Sequence, residues 1–156
     1  MAIDATAVER FLEDRLAGVV TSAADGDRYF FYDPDGVTRA DARFPFATLI
    51  TRDHPYDDVS DLDRAGSYRL NLGLTRETYR SLFGRPPVER DARGMVDTGV
   101  DPATRDRLMP HPIYAGQHWV CVVDPQPRTF EELRPLIVEA HQLAARRYRN
   151  QRSRRP

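Results

Sequence analysis

Between Tyr68 and Leu74 every second residue is apolar: Tyr68, Leu70, Leu72 and Leu74 alternate with Arg69, Asn71 and Gly73. Successive strand side chains point to opposite faces, so this period of two predicts a half-buried strand. Such a strand needs neighbours, and the preceding sequence offers them. Residues 19–23, 28–32 and 46–51 are short β-favouring runs, the second being Arg-Tyr-Phe-Phe-Tyr. Turn signals separate them: Ala-Asp-Gly-Asp at 24–27, then Asp-Pro-Asp-Gly at 33–36. A further strand is predicted over 117–124, where Trp119-Val120-Cys121-Val122-Val123 is apolar throughout and reads as a central, buried strand.

The other periodic segments are helical. Val8, Phe11, Leu12 and Leu16 share one face of a predicted helix over 5–17, with Asp4, or Thr6 with Glu9, as its cap. Thr75 caps a short helix that Gly84 ends. Asp101-Pro102 marks another short helix start, closed by Pro110 and Pro112. In the last helix Leu133, Leu136, Ile137, Ala140 and Ala144 line one face, with Thr129 and Glu132 as a capping box. Hairpin strands followed by helices predict an α+β fold: an antiparallel sheet of about five strands, possible extra pairing at 113–115, and the N- and C-terminal helices packed on one face. Residues 1–149 form the single expected domain, and residues 150–156 a disordered basic tail.

Composition narrows the function classes. A chain of 156 residues is long enough to bury a core without staples. Its one cysteine, Cys121, excludes an internal disulfide framework and a multi-cysteine zinc site. There is no apolar run of about 20 residues for a membrane span, and the N-terminus lacks the pattern of a secretory signal. A soluble cytoplasmic protein with no membrane role is the expectation. All 23 basic residues are arginine, which a genome rich in arginine codons explains more simply than selection for guanidinium chemistry. Their placement says more. Residues 146–155 hold six arginines and no acid, which leaves 17 basic and 24 acidic residues elsewhere, a body of net charge −7.

Several segments carry a resemblance. Phe44-Pro45-Phe46-Ala47-Thr48, Ser60-Asp61-Leu62-Asp63-Arg64, Arg69-Leu70-Asn71-Leu72-Gly73, Leu82-Phe83-Gly84, His111-Pro112-Ile113-Tyr114 and Trp119-Val120 resemble an actinobacterial family of unknown function, over roughly residues 5–148. More distantly, the order of elements is similar to the MmcQ/YjbR-like domains. That likeness implies a YjbR-like version of the α+β fold and, through its CyaY-like relatives, nucleic-acid binding of low specificity. The acidic body departs from the clustered cations that a phosphate-binding face wants.

The densest polar cluster is Pro110-His111-Pro112-Ile113-Tyr114-Ala115-Gly116-Gln117-His118-Trp119. Its prolines restrict the backbone around His111. The segment reads either as a pocket wall, with His111 and Tyr114 touching a ligand, or as a rigid lead into a core strand. His54 with Asp53, Asp57 and Asp58 is a second cluster, whose spacing matches no established metal motif, so no metal is expected. Arg69 and Asn71, with Arg52 and Arg64 beside the acidic 52–64 loop, offer an anion site on the polar face of a strand or ordinary cross-strand pairs. Cys121 reads as a core residue. Neither a Gly-rich nucleotide loop nor a Gly-x-Ser-x-Gly elbow occurs, and no cofactor is expected.

The leading expectation is a non-enzymatic module that binds a small molecule or protein partner around His54, Arg69, Asn71, His111, Tyr114 and His118. The alternative is nucleic-acid binding through Arg146, Arg147, Tyr148 and Arg149, where Tyr148 could stack on a base. A third is an enzyme with His111 or His118 as general base. Convergence of the 52–64 loop, Arg69 and the 111–118 segment on one concave site is the observation that would separate them.

Overall fold

The fold was analysed in a computed structural model that describes residues 1–38 and 43–154. The elements are α1 (Ala5–Asp14), β1 (Val19–Ala24), β2 (Asp27–Tyr32), β3 (Ala47–Ile50), β4 (Arg69–Gly73), α2 (Arg76–Phe83), β5 (Met109–Pro110), β6 (Trp119–Val123) and α3 (Pro127–Ser153), with one 3₁₀ turn at Ala115–Gln117. The strands form one antiparallel sheet in the order β1-β2-β3-β4-β6-β5. The fold is therefore α+β, as expected, with a sixth strand beyond the five read from the sequence.

Local chemistry explains the elements. The β1–β2 hairpin turns on Asp25 and Gly26, both at positive φ (53° and 89°), the geometry of a two-residue type I′ turn. The Asp4 side chain accepts a hydrogen bond from the Thr6 amide at 3.0 Å and caps α1. Thr75 caps α2 through the Thr78 amide. The start of α3 differs from the capping box expected at Thr129. Pro127 takes the first helical position and Gln126 is the cap residue, its amide donating to Asp106 Oδ1 at 2.8 Å. The helix expected after Asp101 is absent: Asp101 caps a turn at Ala103, and the chain runs on to β5. Pro110 can sit in β5 because that strand is the sheet edge. Helix α3 runs to Ser153, into the segment where the sequence places the start of a tail, and Arg155 lies outside the described residues. Among the described residues no helix is long and apolar enough to cross a membrane.

The two faces of the sheet are covered differently. Phe30, Ala47, Leu49, Leu70, Leu72, Val120 and Val122 meet α1 and α3, with Phe11 and Phe130 edge-to-face at 5.5 Å. The opposite face carries a smaller apolar cluster of Ile50, Leu62, Met109, Cys121 and Val123. Leu62 comes from the loop between β3 and β4, so non-periodic chain covers this face. All five residues of β4 are buried, not the half that alternation predicts.

Candidate functional site

Arg69 is the consequence of that covered second face. It is 1% exposed, and every guanidinium nitrogen has a protein neighbour. Nη1 and Nη2 donate to Asp57 Oδ1 and Oδ2 at 3.1 and 2.6 Å, Nη1 also to Ser60 Oγ at 2.9 Å, and Nε to Asn71 Oδ1 at 2.9 Å. Asn71 in turn donates to Thr48 Oγ1 at 2.8 Å. Burial opposes the arginine's charge, but the bidentate Asp57 carboxylate outweighs it and holds the guanidinium protonated. Asp57 and Ser60 belong to the 52–64 loop, so this network ties the loop to the sheet.

His111 lies against the same network, 2% exposed. Its Nδ1 accepts from the amides of Ile113 and Tyr114, both at 3.0 Å, so the proton of the neutral ring sits on Nε2. Nε2 is 3.5 Å from Arg69 Nη2. Both atoms then carry hydrogens, and the contact is packing rather than a hydrogen bond. Burial, and then the Arg69 charge, push the His111 pKa well below its ordinary value. Tyr114 is half-exposed and its ring rests on His111 at 4.9 Å between centroids. His54 Nε2 is 2.6 Å from Asp27 Oδ2, and the His54 ring stacks on Tyr56.

The 52–64 loop, Arg69, Asn71, His111 and Tyr114 thus do converge. His118 does not: it sits in the left-handed region (φ 68°), with its ring edge-on to Tyr79 of α2. Burial, followed by Arg80 and Arg76, lowers its pKa. Among the described residues no group of three His, Cys, Asp or Glu side chains is placed to hold a metal. Cys121 is buried, and burial pushes its thiol up to about 12, so it is no nucleophile at neutral pH.

Concave surface borders that network, in a cleft of about 520 Å³ whose wall includes Val59, Met95 and Pro112, and it occurs again away from it. A cleft of about 470 Å³ opens at the end of the sheet where β2 and β4 finish and β3 and β6 begin, roofed by the second half of α3. Its floor is Gly73 and Trp119, which pair across β4 and β6. A Cβ built on Gly73 would meet the indole fusion carbon Cε2 at 2.9 Å and its neighbours Cζ2 and Nε1 at 3.1 Å each. Near-equal distances to three adjacent ring atoms place the indole face-on over the glycine. Gly73→Ala should therefore lift the indole off the sheet, at a cost of about 1–3 kcal/mol. Because Trp119 is the only tryptophan, a red-shifted emission spectrum with a lowered urea midpoint would report it; an unchanged spectrum would contradict the face-on seat.

A family described as "Family of unknown function (DUF6194)" matches residues 3–153. The chain belongs to this family. Comparison with curated proteins and with solved structures finds no match. The family description assigns no activity, so chemistry must come from the cleft itself.

In this family member the cleft wall joins three distant segments. Phe31 and the strongly exposed Phe44 are apolar surfaces on one side. Arg147, Tyr148 and Arg154 come from α3. Helical geometry divides the basic run: Arg147 and Arg154, seven residues apart, reach the cleft, whereas Arg146 and Arg149 are not part of its wall. The Tyr148 hydroxyl donates to Asp35 Oδ2 at 2.8 Å, and Arg152 pairs with the same carboxylate. Arg43, also in the wall, is 3.3 Å from Asp33 Oδ2, which neutralises it. Arg147 and Arg154 have no carboxylate within 4 Å among the described residues. Phe44, Gly73 and Gln117 carry no motif by themselves. Two sequence signals point to this site: the basic run that holds Arg147 and Tyr148, and a glycine ending an alternating strand, which becomes informative once it is paired with a tryptophan.

Proposed function

We propose that the protein is a non-catalytic binding module for a small anionic molecule with a flat apolar part, held in the cleft between Trp119 and the end of α3. One observation carries the reading: the described residues lining the cleft include three arginines and no carboxylate, in a chain of net charge −1. Local accumulation of cations against the charge of the whole chain is what anion capture needs. The volume lies within the usual range for small-ligand sites, and aromatic walls with a few charged groups are their usual lining. The described wall also carries no histidine, cysteine or serine, which supports binding rather than nucleophilic or general-base chemistry.

In this reading Arg69, Asn71 and His111 are scaffold. Their polar contacts hold the 52–64 loop and the turn after β5, and that turn leads directly into Trp119. Tyr114 is half-exposed on the outside of the scaffold, His54 is mostly buried against Asp27, and His118 sits beside the cleft floor in sequence.

The test is a titration of aryl carboxylates and aryl phosphates followed by Trp119 fluorescence and by thermal shift. Quenching with a raised midpoint is expected, falling at least tenfold in affinity in Arg147→Glu, which reverses a charge in the wall. If no anion changes either signal, or if Arg147→Glu binds as well as the parent chain, the cleft is not the site.

A further inference from the structure

From the charges and polar groups of the cleft we infer that its ligand is a nucleoside monophosphate; this rests on the anion-binding reading above and narrows it. Of the three arginines in the wall, Arg43 is already neutralised by the buried Asp33, leaving the guanidinium groups of Arg147 and Arg154 without a carboxylate partner among the described residues. Two unpaired guanidinium groups match a phosphate monoester, which carries about −1.5 to −2 charges at pH 7, better than a single carboxylate. Their forked donors also suit phosphate oxygens.

The remainder of the ligand is constrained by the rest of the wall. The indole of Trp119 lies flat on the sheet over Gly73, a fixed platform of the kind on which a base stacks. The same cleft wall carries three side-chain amides, Gln117, Asn150 and Gln151, none of which has a side-chain hydrogen bond among the described residues. Each brings a donor and an acceptor, the pair that reads the edge of a base or the hydroxyls of a ribose. A purely hydrocarbon ring would desolvate these amides without partnering them, at a loss of affinity.

A single nucleotide fits better than a strand. A strand leaving the cleft would find Tyr148 and Arg152 already taken by Asp35, and would then run over residues 1–145, which carry a net charge of −7. Repulsion of successive phosphates opposes that path. Arg146 and Arg149, which a strand would need, are not in the wall.

The experiment titrates the full chain with the four common nucleoside monophosphates, adenosine, ribose 5-phosphate, phenyl phosphate and a ten-nucleotide single strand, reading Trp119 fluorescence. At least one nucleoside monophosphate should bind tenfold or more tightly than adenosine, ribose 5-phosphate and phenyl phosphate. Arg147→Gln, a change at an exposed position, should bring that nucleotide's affinity down towards the nucleoside's. Phenyl phosphate binding as tightly as every nucleotide would overturn the nucleotide assignment while leaving anion capture standing. A strand that binds more tightly per nucleotide than any monophosphate would also overturn it. Absence of any response to all of these compounds would remove both readings.

Discussion

Asp57→Asn lowers folding stability by about 3–5 kcal/mol, as expected when one partner of a buried ion pair loses its charge and the other stays behind. Arg69 cannot leave: it sits on the inner side of a central strand, 1% exposed, between β3 and β6. Asparagine keeps the volume of Asp57 but turns an amide towards a guanidinium that has only donors to offer. Two further comparisons isolate the cause. The double variant Asp57→Leu with Arg69→Met removes both charges and should recover much of the loss, because well-packed apolar residues often replace a buried pair at little cost. Asp58→Asn breaks the exposed pair with Arg93, in which both side chains are about half accessible, and should leave the unfolding midpoint where it is. Urea denaturation of the four chains measures this. Equal effects at Asp57 and Asp58 would show that burial of Arg69 is not what makes its partner indispensable. The same variant should also expose the 52–64 loop to proteolysis, since Asp57 and Ser60 are its ties to the sheet.

His111→Ala is expected to cost about 2–3 kcal/mol, by removing the acceptor of two amides that are only partly buried. His111→Asn should recover much of it, because an asparagine oxygen accepts from amides two and three residues ahead in the same kind of turn. The histidine also gives a pH signature. Its pKa in the folded chain lies well below the unfolded value near 6.5. Between the two values the unfolded chain binds a proton that the folded chain refuses. The contribution is therefore intact above about pH 6.5 and is lost as pH falls, with a slope of up to about 1.4 kcal/mol per pH unit. Stability measured at pH 7.5, 6 and 5 should fall in the parent chain and fall less steeply in His111→Asn. Parallel profiles would mean that the buried ring is not the group responsible.

Much of the architecture was legible in the residues because the relevant forces are local. The alternation at 68–74 put Leu70 and Leu72 on one face and Arg69, Asn71 and Gly73 on the other, and the structure keeps that division. Asp25-Gly26 named its turn and Thr75 its cap, and of the two caps the sequence offers α1, Asp4 is the one the structure uses. Two local readings failed for equally local reasons. Asp101-Pro102 satisfies one turn and is followed by no periodic apolar face to bury. Thr129 lost the capping role because Pro127 two residues earlier already suits the first helical position.

What the sequence by itself determined is the set of faces: which side chains a strand or helix turns the same way follows from periods of two and 3.6, whatever surrounds them. It could not determine what lies against each face. Arg69 has the look of a solvent-facing strand residue, and only a carboxylate twelve positions earlier, on a loop with no periodicity, makes it the centre of a buried network. The six terminal arginines look like one basic arm, and only the seating of α3 beside Trp119 separates Arg147 and Arg154 from the rest. Burial and cleft formation are sums over contacts between distant segments, so they belong to the tertiary structure alone.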